Sequence, residues 1–134
     1  MSNQVKSIAK GVSHSPRKVA VVADLVRGRS VSDALVILEH TPRRSASAVY
    51  KTIASAKANA EHNHNLKPDT LVIDEIQVTA GPRIKRYRPA AHGRALPYQK
   101  KSSHIRVIVS GDARQKKTAT KKSAEKTEDK KEAK

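Results

Sequence analysis

Apolar residues recur along this chain at two spacings, and the change of spacing divides it into elements. Val19, Val22, Ala23 and Val26 fall at i, i+3, i+4 and i+7, one stripe of a helix. Ser15-Pro16 reads as N-cap and first helical residue, because a hydroxyl can accept from an orphan N–H and proline has no N–H to orphan. Gly28 is placed to end this helix. Ser30 or Ser32 opens a second, short helix through His40 with Ala34, Leu35 and Leu38 inward. Thr41-Pro42 repeats the cap signal for a third, longer helix. Its stripe is Ala46, Val49, Ile53, Ala56 and Ala60, and it is predicted to run to His64 or Asn65. The alanines between residues 54 and 60 favour helix and permit close packing.

Elsewhere the period is two. Ile76 and Val78 alternate with Gln77 and Thr79, while Ile105, Val107 and Val109 alternate with Arg106, Ile108 and Ser110. Ile108 on the second face suggests partial cover there. Leu71 and Ile73 are out of phase with Ile76 and Val78, so a bulge or bend is expected near Asp74-Glu75. Val5–Val12 is a weaker third strand. The expected fold is α+β: three helices packed on one face of a three-stranded antiparallel sheet.

Two stretches fall outside this pattern. Residues 81–103 contain only Ile84 and Leu96 of the Val, Ile and Leu type, and residues 113–134 contain none. The second is a Lys-rich tail that cannot bury enough apolar surface to offset its ordering entropy, which predicts disorder. The domain is therefore expected over 1–112, with residues 81–103 as an extension from it.

Charge sharpens that division. The 134 residues carry 28 Lys and Arg against 12 Asp and Glu, a net +16. Half of this excess lies within residues 81–106, which hold no acid at all. A surplus of this size in a small protein points to a polyanionic partner. There is no Cys, which excludes disulfides and thiolate metal sites, and no Phe or Trp, so the core must be aliphatic. The longest apolar runs, Val19–Ala23 and Ala34–Leu38, are far short of the roughly 18 residues a membrane helix needs. The opening MSNQVKSIAK has no apolar stretch suited to a signal peptide, so an intracellular protein without a membrane is expected.

The stretch GPRIKRYRPAAHGRALPYQKKSS joins the two better strands. Hairpin connections are ordinarily two to five residues, so this one reads as a functional β-hairpin extension with its turn near residues 88–95. If both strands continue, arms of about 11 residues reach roughly 35 Å beyond the sheet. A two-stranded ribbon without an apolar face is marginal alone and is expected to take its final shape on a partner. Arg83, Lys85 and Tyr87 share one face, Arg86 and Arg88 the other, and Lys100 and Lys101 also diverge. Basic residues on both faces suit insertion between phosphate-lined walls. Tyr87 and Tyr98 can stack on unpaired bases or on guanidinium planes.

Other constellations are weaker. His62 and His64 diverge on a helix and have no ligand set around them. Asp74 and Glu75 face opposite ways on a strand, which disfavours shared acid–base work. Neither a nucleophile motif nor a Gly-rich phosphate loop is present, so no enzyme, cofactor or metal is expected. Arg17-Lys18 beside Ser15, and Arg43-Arg44, stand at expected helix starts and suit phosphate.

Three blocks in register, SPRKVAVVADLVRGRSVSDALVIL, SAKANAEHN and GPRIKRYRPAAHGRALPYQKKSSHI, resemble the family of bacterial large-subunit ribosomal protein number twenty-two, over about residues 5–112. The resemblance implies a structural constituent of the large ribosomal subunit that binds its rRNA, supports early assembly, and lines the nascent-polypeptide exit tunnel with its hairpin. It also implies a link to macrolide sensitivity through the tip. By position the tip is Pro89, Ala90, Ala91, His92, Gly93, Arg94 and Ala95, flanked by RNA contacts at Arg83, Lys85, Arg86, Lys100, Lys101 and His104. On the body it implies RNA-facing Ser15, Arg17, Lys18, Lys57, Asn59, His62 and Asn63. Lys10, Arg27, Arg29, Arg43, Arg44, Tyr87, Arg88, Tyr98 and Ser103 complete the expected rRNA-binding set. The tip departs from the family at Ala90, where an Arg is usual, at His92, and in the returning Leu96-Pro97.

The implied partners are large-subunit rRNA, neighbouring ribosomal proteins and the nascent chain. The implied location is the cytoplasm, in the ribosome, or the ribosome of a bacterium-derived organelle. The free protein is expected to be monomeric. A competing class is an architectural DNA-binding protein whose β-ribbon arm enters the minor groove. It usually needs a dimer with a larger shared core, and sedimentation with duplex DNA against structured RNA separates the two.

Overall fold

The structure, a computed structural model, describes residues 3–114. Strand β1 (Asn3–Val12) is followed by helices α1 (Pro16–Val26), α2 (Val31–His40) and α3 (Ala46–His62), then by strands β2 (Val72–Pro89) and β3 (Ala95–Gly111). The sheet order is β1-β3-β2 with both pairings antiparallel, so the last strand lies in the middle. The helices cover one face of this sheet, giving the expected α+β architecture. The tail expected to be disordered lies outside the described residues from position 115 onward. Of its first residues, Ala113 bridges to Leu66 and the Arg114 N–H donates to the Asn65 carbonyl at 2.7 Å.

Each predicted helical stripe is the buried one. Val19, Val22, Ala23 and Val26 of α1 are fully buried, as are Val49, Ile53, Ala56 and Ala60 of α3, with Ala46 nearly so. On α2, Ala34 and Leu38 are buried and Leu35 is half-buried. They meet Val5, Ile73, Ile76, Ile105, Val107 and Val109 from the inner sheet face. Alanines at 56 and 60 let α3 lie close to β1 and β3. With no Phe or Trp available, Val and Ile supply most of the core volume.

The caps are more varied than the sequence suggests. Ser30 caps α2 by accepting from the Asp33 N–H at 3.1 Å while its hydroxyl donates to the Asp33 carboxylate at 2.7 Å. Ser30→Ala is expected to cost about 1 kcal/mol, read as a lower urea midpoint at unchanged slope. Ser15 holds the N-cap position of α1, but its side chain makes no capping bond; only its carbonyl is used, by Lys18 and Val19.

Thr41-Pro42 does not start α3. Thr41 instead closes α2, its hydroxyl donating back to the Ile37 carbonyl at 2.6 Å, so it is already spent on the preceding helix. Ser45 takes the N-cap position of α3 and donates to the Lys18 carbonyl at 3.2 Å, tying the starts of α1 and α3 together. At its far end α3 stops at His62, earlier than expected. Asn65 adopts a left-handed φ of 50°, and the Leu66 N–H reaches back to the Ala60 carbonyl at 3.0 Å, burying Leu66.

Three bulges shape the sheet. The first is at Asp74, where the sequence phase breaks: Ile73 pairs with Val109 and Glu75 with Ile108, leaving Asp74 extra. The second places Lys10 and Gly11 of β1 opposite His104, with Gly11 at φ 71°. The third places Gly81 and Pro82 of β2 opposite Ser102. The last two flank the point where β2 and β3 leave the body together.

Candidate nucleic-acid interface

Beyond the Gly81-Pro82 bulge, β2 and β3 continue as a two-stranded ribbon from Arg83↔Lys101 to Pro89↔Ala95. Seven residues per arm at roughly 3.3 Å each span about 23 Å, short of the 35 Å expected. The root bulge and the tip take up the remaining residues. At the tip the Ala90 N–H donates to the Arg94 carbonyl at 2.8 Å, and His92 and Gly93 are both left-handed, at φ 59° and 69°. Gly93 accepts that geometry freely; His92 belongs to the few other residue types that visit it.

The register assigns each side chain a face. Ile84, Arg86 and Arg88 pair with Lys100, Tyr98 and Leu96, and Arg83, Lys85 and Tyr87 pair with Lys101, Gln99 and Pro97. One face therefore presents Arg83, Lys85 and Lys101, and the other presents Arg86, Arg88 and Lys100. The bulge sets this arrangement. Inward positions on β2 are even-numbered at Ile76 and Val78 and odd-numbered past Pro82, because two residues there oppose one.

The Arg88 guanidinium lies 4.9 Å from the centre of the Tyr98 ring, a cation–π contact that holds both side chains along the second face. Tyr87 is the most exposed aromatic, at 69 %. The ion pairs among the described residues, Arg27–Asp24 and Lys57–Glu61, lie on the body. The ribbon's cations thus stand beside one another within a Debye length of about 8 Å. Like charges side by side disfavour the free ribbon and are relieved by polyanion.

The root is built for close approach. A Cβ on Gly81 would lie 2.6 Å from the Ser102 hydroxyl and 3.2 Å from its carbonyl carbon, so only glycine fits. The Ser102 hydroxyl donates to the Pro82 carbonyl at 2.7 Å, and proline withholds an N–H that the bulge leaves unpaired. His104, half-buried on the outer face, accepts the Gly11 N–H on Nδ1 at 2.9 Å. That bond places the neutral ring's proton on Nε2, facing the root. Lys10 stands exposed beside it.

The remaining expected residues form two groups and some exceptions. Ser15, Arg17 and Lys18 approach Arg43 and Arg44 through the Ser45–Lys18 bond, all four cations exposed. Arg43 and Arg44 lie directly before Ser45, the N-cap of α3, so they stand at the start of that helix although Thr41-Pro42 does not cap it, and both are exposed. Lys57, Asn59, His62 and Asn63 crowd the end of α3, where Asn59 and Asn63 line a groove with His64, Gln4 and Arg106. Neither His64 nor Arg106 was in the expected contact set; Arg106 alternating with buried Ile105 and Val107 is the signal that puts it on the outer sheet face.

Arg27 is committed within the fold, donating to the Ile76 carbonyl at 3.2 Å and pairing with Asp24 at 3.1 Å. Arg29 donates to the Leu25 carbonyl at 2.9 Å. Ser103 is removed from the expected contact set: it is fully buried on the inner face, and among the described residues its hydroxyl has no partner. Among the described residues no cluster of three or more His, Asp or Glu is placed to hold a metal, and no helix is long and apolar enough to cross a membrane.

The pattern of the family described as Ribosomal protein L22p/L17e matches residues 7–110, from β1 through β3 with the ribbon inside. The chain belongs to the L22p/L17e ribosomal protein family. It is similar to the large ribosomal subunit protein uL22 of Desulfitobacterium hafniense strains DSM 10664 / DCB-2 and Y51, each 51% identical over 106 residues. Those alignments cover 79% of this chain and 93% of each relative. L22p/L17e proteins are structural constituents of the large ribosomal subunit, working with its rRNA and neighbouring proteins, and are not enzymes. Membership in the L22p/L17e family places this chain in the ribosome.

Proposed function

We propose that this protein binds large-subunit rRNA chiefly through the ribbon, which enters between phosphate-lined walls and presents its tip, Pro89–Ala95, to the nascent polypeptide in the exit tunnel. One observation carries the reading: three cations project from each ribbon face, with no acid from Gly81 to Arg106. A ribbon lying on a single anionic surface needs them on one face only. The exposed groups around Ser15, Arg17, Lys18, Arg43 and Arg44, and around Lys57, Asn59, His62 and Asn63, serve as further phosphate contacts that fix the body, with Lys10 and His104 at the root. Tyr87 and Tyr98 stack on bases or on guanidinium planes. The free protein is a monomer, supports subunit assembly, and works in the cytoplasm or in a bacterium-derived organelle.

Arg86→Ala tests this reading. Affinity is expected to fall about tenfold on structured large-subunit RNA fragments of different sequence alike, and the salt slope by about 0.7–0.9, because phosphate contacts position without specifying. Loss confined to one sequence would assign Arg86 to base readout instead.

A further inference from the structure

The two outer strands of the sheet differ in how their edges are used. On β2 the loop between α1 and α2 covers the edge: Gly28 donates to the Ile73 carbonyl at 3.1 Å, Ile73 to Arg29 at 3.0 Å, and Val31 to Leu71 at 2.9 Å. On β1, alternate N–H and C=O groups between Asn3 and Ala9 point away from β3, as in any antiparallel edge strand, and among the described residues they find no backbone partner. Beside this edge runs a groove between β1 and α3, lined by Ser7, Ala9 and Val12 on one side and Ala48, Thr52 and Ser55 on the other. The Lys10-Gly11 bulge ends the flat part of the edge.

We propose that the edge of β1, over Asn3–Ala9, accepts an extended acidic segment of a neighbouring protein as a fourth strand. The alternation of free donors and acceptors matches a peptide backbone and not a phosphodiester, which offers no N–H to the carbonyls. Charge selects the occupant. Lys6 stands exposed on the outer face beside Ile8, itself 49 % exposed, and Lys51 stands exposed at the groove. A second copy of β1 would set lysines against lysines, the usual guard against edge-to-edge pairing. A strand with acids on its outward positions pairs with those lysines across the edge, and its alternate small apolar residues enter the groove. The chain's own residues 115–134 hold no Val, Ile or Leu to fill it.

The test uses the full chain without RNA and a blocked peptide of alternating glutamate and valine, seven residues long. Amide hydrogen exchange and chemical shifts are expected to show protection of the outward amides of Asn3–Ala9 and none along the ribbon. Lys6→Glu is expected to weaken binding about fivefold and to restore it for the lysine–valine peptide. N-methylation of the peptide on the paired side is expected to abolish protection. Protection by an oligouridylate at the same amides, a β1-dependent dimer in sedimentation, or equal binding of the N-methylated peptide would each overturn the proposal. None of these readouts depends on the ribbon, so failure here leaves the RNA-binding reading standing.

Discussion

Replacing residues 83–101 with a two-residue Asn-Gly turn flattens the slope of log affinity for large-subunit RNA against log salt by about 5 units. The segment removes seven cations, Arg83, Lys85, Arg86, Arg88, Arg94, Lys100 and Lys101. Each phosphate neutralised contributes roughly 0.7 to 0.9 to that slope through released counterions. At low salt the affinity falls by several orders of magnitude, yet the body keeps its melting transition, because no ribbon side chain belongs to the buried core. Filter binding across a salt series checks this. An unchanged slope would move the electrostatic contact onto the helical body.

Ile53→Ala is the complementary experiment, aimed at the platform. Ile53 is fully buried midway along α3, under the sheet, in a core where no large aromatic residue stands ready to close a gap. Truncation removes three methyl or methylene groups and leaves a cavity, a loss of about 3 kcal/mol. That lowers the melting temperature by about 15 °C. Val36→Ala, on α2 at 57 % exposure, is expected to stay within about 0.5 kcal/mol. Calorimetry on both variants reads the contrast; equal effects would mean that burial is not what holds α3 to the sheet.

The helix stripes were legible because burial on one face imposes a 3.6-residue period on Val19–Val26 and Ala46–Ala60, with no other force competing. The break at Asp74 was legible for the same reason in period two. The start of α3 was not. Thr41-Pro42 has the composition of a cap, and only the tertiary arrangement shows the Thr41 hydroxyl turned back on α2. At the candidate interface, the two-faced distribution of charge was readable from residue parity alone within each arm. The root was not: Gly81's crowding against Ser102 and the Gly11–His104 bond join residues far apart in sequence. Ser103 was placed in the contact set, but strand alternation turns position 103 inward with Ile105.

The account's central claim is that both faces of the ribbon meet RNA. The chain has no cysteine, so Lys85→Cys and Lys100→Cys each create a single tether, on opposite faces, for an iron chelate that generates hydroxyl radicals. With the labelled protein assembled into large subunits, rRNA strand cleavage is expected from both positions, at separate backbone segments. Cleavage from one position alone would show a ribbon lying on a surface and contradict insertion between two walls.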